Sequence, residues 1–262
     1  MERQIKYLGI VQARLSSSRL PGKVLRPICG KPMLELQLER IARSHRLDRI
    51  IVATGDDEQD DPLEALCRTL KVDCFRGSLN DVLERFFMAA RHYRPENVVR
   101  FTGDCPLIDP GVVDDTIALF DQGDFDYVSN VHPPTFPDGL DCEVMRFSCL
   151  ESAWRNAGLR SEREHVTPYI YSHPEQFRIG NHFGTGDFSE LRWTVDEPAD
   201  FEVVSRIFES LYPENPAFSW REVLALLQRH PEIDRLNCRF LRNEGYRKSQ
   251  QEDQIVYERR KS

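Results

Sequence analysis

A cationic loop follows the first predicted strand of this 262-residue chain. The loop runs Arg14-Leu-Ser-Ser-Ser-Arg-Leu-Pro-Gly-Lys23 and carries three cations and three hydroxyl groups. Arginine forms forked hydrogen bonds to phosphate, lysine supplies a compact charge, and the backbone amides of such a loop can surround an anion. Neither the GxxxxGK[ST] nor the GxGxxG pattern is present, which excludes two standard phosphate-binding motifs. The loop therefore favours a polyphosphate ligand, with a merely solvated basic loop as the alternative.

Two aspartates follow predicted strands later in the chain. Asp104 comes after a strand predicted at residues 97–102, and Asp196 ends a strand predicted at residues 191–195. Ligands of open α/β sheets bind outside the carboxyl ends of the strands, so we expect both carboxylates near the cationic loop. Mg²⁺ binds one or two protein carboxylates together with substrate phosphates. The pattern predicts Mg²⁺ at Asp104 and Asp196, and helix or turn capping is the alternative for each aspartate.

Alternating strands and helices must position these residues. Apolar stripes at helical spacing separate short β-rich runs, a pattern typical of a mostly parallel sheet with helices on both faces. From about residue 125 two strands flank a turn-rich loop, which predicts an inserted β-hairpin arm at about 125–147. The predicted strands before that arm are residues 7–13, 49–53, 72–75 and 97–102.

The length predicts one domain at residues 1–248, which includes the arm, and a polar tail at 249–262 that we expect to be loosely ordered. The net charge of -8 disfavours a general nucleic-acid binder, which needs a basic face. No apolar run reaches the roughly 18 residues that span a bilayer, and no apolar leader follows Met1. Seven cysteines without a CxxC pair disfavour a zinc site or a disulfide framework. We therefore expect a cytoplasmic protein with neither a nucleic-acid nor a membrane partner.

Three stretches together resemble the sugar cytidylyltransferase superfamily, which includes the acylneuraminate and 3-deoxy-manno-octulosonate cytidylyltransferases. They are Ala13–Leu25, Thr102–Pro106 and Thr194–Asp196. The resemblance covers about residues 5–248 and implies a Rossmann-like nucleotide-diphospho-sugar transferase sheet. Further stretches are similar to the spore-coat polysaccharide biosynthesis protein F type, namely Tyr127–Asn130, Pro137–Glu143, Arg163–Thr167 and Asn243–Tyr246.

The resemblance also implies roles for individual residues. Catalytic roles fall on Arg14, Lys23 and Asp104, and the metal is held by Asp104 and Asp196. The residues implied in nucleotide binding are Ala13, Ser18, Arg19, Arg76 and Asn80, and those implied in acceptor binding are Asp138, Asp141, Glu143 and His165. The alternatives are a polar turn at Asp138, a loop cation at Arg76, a helix cap near Asn80 and a helix-surface histidine at His165.

The implied reaction is attack by a sugar acid or sugar phosphate on the α-phosphate of a nucleoside triphosphate. Pyrophosphate leaves, and the activated sugar serves polysaccharide or glycan synthesis. CTP is the donor that the resemblance favours, and GTP stays open because Ser16–Ser18 replaces a glycine-rich stretch of the sialic acid enzymes. The hairpin further suggests a homodimer. Two other classes stay open: a metal-dependent glycosyltransferase, although Asp104-Cys105-Pro106 lacks the second aspartate of an Asp-x-Asp motif, and a non-catalytic nucleotide-sugar binding protein.

Overall fold

Strands and helices alternate through the first half of the computed structural model, which describes residues 4–259. Residues 1–3 of the predicted domain and 260–262 of the predicted tail lie outside the described residues. The strands are β1 (Tyr7–Gln12), β2 (Pro27–Ile28), β3 (Lys31–Pro32), β4 (Arg49–Gly55), β5 (Asp73–Gly77), β6 (Asn97–Thr102), β7 (Tyr127–Ser129), β8 (Glu143–Arg146) and β9 (Ile179–Asn181).

The helices cover both faces of the sheet that these strands form. They are α1 (Met33–Ile41), α2 (Asp61–Leu70), α3 (Val82–Tyr93), α4 (Pro110–Gln122), α5 (Phe147–Asn156), α6 (Arg160–His165), α7 (Pro168–Tyr171), α8 (Pro198–Leu211), α9 (Trp220–Arg229), α10 (Pro231–Asp234) and α11 (Glu244–Arg259). In the described part of the chain no helix is both long and apolar enough to cross a membrane.

Seven strands form one sheet in the order β5-β4-β1-β6-β8-β7-β9. β8 is antiparallel to both of its neighbours, and the remaining pairings are parallel. This confirms the predicted mostly parallel α/β sheet. The predicted hairpin is present as the β7–β8 pair, but its strands complete the main sheet between β6 and β9 and do not project from it. The carboxyl ends of β1, β4 and β6 meet at one edge, where the cationic loop begins.

Side chains of β1 alternate between two hydrophobic cores, one on each face of the sheet. Tyr7 and Val11 pack into the core beneath α1, α4 and α8, while Leu8 and Ile10 pack into the core beneath α3 and α5. All four are nearly or fully buried. A parallel strand that is buried on both faces must be apolar at successive positions, which explains the continuous run from Tyr7 to Val11.

The structure departs from the predictions in four segments. Residues 191–195 do not form a strand, because their backbone bonds to loops: Trp193 N–H donates to the Asp138 carbonyl at 2.6 Å and Val195 N–H to the Asp104 carbonyl at 2.8 Å. The short ribbon β2–β3 and the edge strand β9 were not predicted. The tail is helical, since α11 crosses the predicted boundary at residue 248 and packs on α6, where Asp253 accepts hydrogen bonds from the first backbone amides of that helix.

Candidate active site

A cavity of about 330 Å³ opens at the carboxyl ends of β1 and β6. It brings together residues that lie up to 234 positions apart in the chain, from Gln12 to Tyr246, as expected for a site at strand ends. The predicted site residues that line it are Ala13, Arg14, Ser18, Arg19, Lys23, Asp104, Asp138, Asp141, Glu143, His165 and Asp196.

Lys23 lies between the two aspartates that were predicted to hold the metal. Its Nζ is 3.2 Å from Asp104 Oδ2 and 2.9 Å from Asp196 Oδ1, and it donates to the Val195 carbonyl at 2.7 Å. Burial lowers the pKa of the Lys23 ammonium, but the two carboxylates outweigh burial and raise it above its ordinary value. Burial likewise raises the pKa of Asp104, but Lys23 and the Thr102 hydroxyl outweigh it and lower that pKa to about 2. Lys23 and Asp104 therefore stay charged near neutral pH.

The start of the cationic loop is fixed by two contacts with neighbouring strand ends. The buried carboxylate of Asp60 accepts hydrogen bonds from Leu15 N–H at 2.8 Å and from Gly55 N–H at 2.9 Å. Gly103 N–H donates to the Gln12 carbonyl at 2.7 Å, and a Cβ at Gly103 would lie only 2.8 Å from that oxygen. Glycine at position 103 therefore lets the loop after β6 approach the end of β1.

The two arginines of the loop differ in their partners. Arg19 lies 3.0 Å from Asp196 Oδ2 and also pairs with Glu197 and Glu244. Arg14 lines the cavity, and among the side chains that the structure describes, those of residues 4–255, its guanidinium forms neither a hydrogen bond nor an ion pair. An anion that enters the cavity would therefore find one free guanidinium and one that must exchange its partners.

The carboxylate pair fits a magnesium ion that is shared with substrate. Asp104 and Asp196 reach one common nitrogen, so their oxygens converge closely enough to share a cation. No group of three or more His, Cys, Asp or Glu side chains suited to a metal occurs among the residues that the structure describes. That donor set is too small for a metal held by protein alone, but two carboxylates suffice for Mg²⁺ when phosphates and water complete its shell.

The other end of the cavity contains three carboxylates, each of which pairs with at least one arginine. Asp138 lies 3.3 Å from Arg192 Nη1. The other two nitrogens of the Arg192 guanidinium, Nε and Nη2, each donate to an oxygen of Asp200 at 3.0 Å and hold the group in place. Asp141 accepts from Arg242 Nη2 at 2.6 Å. Burial raises the pKa of Asp141. Burial and the negative charge of Asp141 together raise the pKa of Asp138 to about 7.

The third carboxylate, Glu143, is the most enclosed. It forms an ion pair with Arg100 and accepts a hydrogen bond from the buried Tyr127 hydroxyl. Burial raises the pKa of Glu143, but Arg100 and Tyr127 outweigh burial and lower it below its ordinary value. Sequence reasoning missed Arg100 as a site residue.

Aromatic and imidazole side chains form the wall beside these carboxylates. His165 Nε2 lies 3.2 Å from the Ser249 hydroxyl, and the Tyr246 ring packs edge-on at 5.1 Å. Burial and the charges of Arg100 and Arg14 lower the pKa of His165 to about 4, so its imidazole is neutral at pH 7. Ser249 on α11 reaches this wall from the segment 249–262, which was expected to be loosely ordered, and Tyr246 reaches it from just before that segment.

The structure does not bring Arg76 and Asn80 to the cavity. Arg76 forms ion pairs with Asp61 and Glu64 and donates to the carbonyls of two residues near the end of β4. Asn80 is exposed and precedes α3. Cys105 is a buried side chain, and burial together with Asp104 raises the pKa of its thiol well above the usual range, which agrees with a packing role.

Two of the missed arginines had a weak signal in the sequence. Arg100 and Arg192 each stand four residues before a predicted metal ligand, in the same extended segment, and both line the cavity. Arg242 had no such signal, because its partner Asp141 is 101 residues away.

Known proteins with the same architecture were found by sequence and by structure. A family model described as cytidylyltransferase matches residues 8–203. The spore coat polysaccharide biosynthesis protein SpsF of Bacillus subtilis is 37% identical over 234 residues, which cover 86% of this chain and 95% of that protein. The structure of a cytidylyltransferase from Leptospira borgpetersenii superposes with a TM-score of 0.83 at 32% identity and covers 88% of this chain and 97% of its own.

A more distant structure shares the fold alone. It is CMP:2-keto-3-deoxy-manno-octonic acid synthetase complexed with CTP, which superposes with a TM-score of 0.59 at 18% identity. The match covers 78% of this chain and 99% of that chain. The sheet and its helices are therefore common to proteins whose sequences have diverged widely.

Proposed function

The chain belongs to the cytidylyltransferase family and is a nucleotidyltransferase, and from this premise we propose that it transfers the cytidylyl group of CTP to a sugar acid. The observation that carries the proposal is the cluster in which Lys23 forms ion pairs with both Asp104 and Asp196. Arg14, which has no partner within the described residues, lines the same cavity. A polyphosphate needs such fixed positive charge, and the acidic net charge of the chain elsewhere makes this cluster distinctive.

The proposed reaction needs no side-chain nucleophile. A hydroxyl oxygen of the acceptor attacks the α-phosphorus, and the bond from that phosphorus to the oxygen that bridges the β-phosphate breaks. The products are the cytidylylated sugar, pyrophosphate and one proton. Catalysis then depends on positioning the reactants and on stabilising the charge that grows on pyrophosphate. Arg14 and Arg19 bind the triphosphate in this scheme, and Lys23 supplies a buried, fixed cation.

We propose that Asp104 and Asp196 hold Mg²⁺ when nucleotide is bound. When bound there, the ion would supply Lewis-acid stabilisation of the charge on the substrate phosphates. The two carboxylates orient each other through Lys23 in the meantime, so the site does not depend on the metal for its geometry.

The choice of substrates rests on the relatives. CTP is favoured by the description of the family and by the complex of the distant structural neighbour with CTP, and GTP is the alternative donor. The name of the Bacillus relative supports a role in polysaccharide biosynthesis. A cytoplasmic location and a homodimer stay predictions, and light scattering on the purified chain tests the second.

A screen of turnover tests the proposal. The chain is incubated with Mg²⁺ and each of CTP, GTP, ATP and UTP against N-acetylneuraminate, 3-deoxy-manno-octulosonate, other sugar acids and a set of sugar phosphates, and pyrophosphate release is measured. We expect release with CTP and a sugar acid. Nucleoside diphosphate released from a nucleotide sugar would indicate a glycosyltransferase instead, and nucleotide binding without turnover in any combination would indicate a binding protein.

A further inference from the structure

The guanidinium of Arg100 has one edge that no protein group fills. Its Nη1 pairs with Glu143. Its Nε is buried and has no hydrogen-bond partner, and within the described residues Nη2 has none either. The side chain is 14% exposed and lines the cavity. A buried charged donor without an acceptor is costly, so its persistence beside a ligand cavity calls for an acceptor from outside the protein.

The same edge is filled by a carboxylate elsewhere in the molecule. Nε and Nη2 of Arg192 donate to the two oxygens of Asp200, each at 3.0 Å. Nε and Nη2 of Arg178 donate to the two oxygens of Asp126, each at 2.9 Å. The parallel N–H groups of this edge match the spacing of two carboxylate oxygens, which makes the edge selective for a planar anion.

The surroundings hold the Arg100 guanidinium in place. Glu143 fixes Nη1, and the Tyr127 hydroxyl fixes the second oxygen of Glu143. All three lie on neighbouring strands of one sheet, where Arg100 is the register partner of Glu143 across β6 and β8. The open edge of Arg100 is thus presented by rigid strands and not by a mobile loop.

The other acidic groups near this end of the cavity cannot take that edge. Asp141 is engaged by Arg242, and Asp138 lies against Arg192. His132 and His165 face the same space, and burial lowers the pKa of both below the ordinary value, so they add no competing positive charge at neutral pH. Arg242 Nε also lacks a hydrogen-bond partner, but Nη1 and Nη2 of Arg242 donate to the Phe136 carbonyl and to Asp141. Among the described residues at this end, Arg100 is therefore the arginine that offers two adjacent free donors.

We propose that Arg100 binds the carboxylate of the acceptor sugar through its Nε and Nη2 groups and thereby selects sugar acids over neutral sugars and sugar phosphates. This assignment rests on the proposed function, since it concerns the acceptor of that reaction. Glu143 is in this view a positioning residue that acts through Arg100.

The test compares the sugar acid that is turned over in the screen with its carboxamide, in which a neutral group replaces the carboxylate. The wild-type chain should prefer the acid by at least about 100-fold in kcat/KM, because the amide leaves a charged donor edge unpaired. The variant R100Q alone would leave Glu143 buried without its cation, so the double variant R100Q/E143Q is used. Its preference for the acid should fall below about 5-fold, while KM for CTP stays within about 3-fold of wild type.

Three further variants separate binding from structure. R100K can keep the ion pair with Glu143 but lacks the parallel N–H groups that Nε and Nη2 of Arg100 supply. Its acid preference should fall about 10-fold. E143Q keeps Arg100 but removes the carboxylate that positions it, so its acid preference should fall by less than that of R100Q/E143Q. R178Q, whose ion pair lies outside the cavity, should match wild type in every parameter. Thermal unfolding confirms that each variant is folded.

Each outcome decides between the two proposals. Turnover of a sugar acid with an unchanged acid preference in R100Q/E143Q would overturn the role of Arg100 and leave the proposed function in place. Turnover of sugar phosphates alone, or of no acceptor, would overturn the sugar-acid acceptor and the carboxylate role of Arg100 together.

Discussion

The two ends of the cavity are built on different principles. The nucleotide end is the end that we propose for the nucleotide. There Asp104 and Asp196 share one cation, Lys23, and Arg14 has no partner within the described residues. At the acceptor end, every carboxylate lies against an arginine, as in the pairs Arg100–Glu143 and Arg242–Asp141, and Asp138 lies near both Arg192 and Arg242. The nucleotide end thus has unsatisfied charge that a large anion can neutralise, whereas the acceptor end is nearly neutral before substrate arrives.

The difference indicates how each end would discriminate. An end with shared and free charge attracts any polyphosphate, and its selectivity must come from shape and backbone contacts. An end whose ion pairs are already formed binds tightly only a ligand whose acceptors match the donors that remain unused. Any other ligand leaves buried polar groups unpaired. We therefore expect substitutions at the nucleotide end to change turnover and those at the acceptor end to change selectivity or pH dependence.

The largest effect should follow removal of a shared carboxylate. Asp104→Asn and Asp196→Asn should each lower kcat for Mg²⁺-dependent pyrophosphate release by about 10³-fold, because each removes a charge from the carboxylate pair that we propose holds the ion. Lys23 keeps one carboxylate partner in either variant, so thermal unfolding should change little. The exposed Asp187→Asn serves as the control. Wild-type turnover in both variants would place the metal elsewhere.

At the acceptor end, the buried imidazole of His165 should make the free energy of unfolding depend on pH. His165 has a pKa of about 4 in the folded chain against an ordinary value of 6.5. Between these values the unfolded chain binds the proton and the folded chain does not, so folding stability falls as pH drops from 6.5 towards 4. His165→Gln removes that proton and should make the variant lose about 2–3 kcal/mol less stability than wild type between pH 7.5 and pH 4.5.

Urea unfolding at the two pH values measures this difference, and the exposed His45→Gln is the matched control. Carboxyl groups that titrate over the same range cancel when variant and wild type are compared. Parallel pH profiles for His165→Gln and wild type would show that the imidazole is not kept neutral by its site.

How much of each end could be predicted from sequence follows from the same contrast. The loop at 14–23 and Asp104 belong to short contiguous stretches at the ends of strands that apolar periodicity identifies, so their convergence follows from sheet topology. The mostly parallel sheet was predictable from the alternation of strands and helices, and the burial of β1 on both faces from its continuous apolar run.

The acceptor end depends on contacts that no local pattern specifies. Arg100 meets Glu143 across 43 residues, and Arg242 meets Asp141 across 101. A polar stretch gives no hydrophobic period by which to place it, so the packing of α11 against α6 could not be predicted from composition. The extended segment 191–195 was misassigned because its backbone bonds to loops, although the Trp193 and Val195 side chains belong to the hydrophobic core.

A smaller effect at the nucleotide end would test whether its geometry is set by backbone approach. A Cβ at Gly103 would lie 2.8 Å from the Gln12 carbonyl and 3.0 Å from Ala13 Cβ, neither of which can move without shifting the start of the cationic loop. Gly103→Ala should therefore lower kcat/KM about 10-fold and destabilise the fold by about 1–3 kcal/mol. Gly158→Ala, where the added Cβ meets nothing within 4 Å, is the matched control and should be neutral. Equal behaviour of the two variants would show that the approach of β6 to β1 is not tight.

The smallest effect should come from Arg76, which the resemblance places at the nucleotide and the structure places outside the cavity. Its guanidinium is held by Asp61 and Glu64 on α2, so it has no free donors to offer a base. Arg76→Gln should therefore change KM for CTP by less than about 2-fold, whereas Arg14→Gln should raise it by about 10-fold or more, since a free guanidinium contributes its full charge-assisted bonds to the phosphates. Steady-state kinetics on both variants measures the contrast. A KM for CTP raised equally by the two substitutions would extend the nucleotide end to the β5 edge, and would require the Arg76 ion pairs to open when CTP binds.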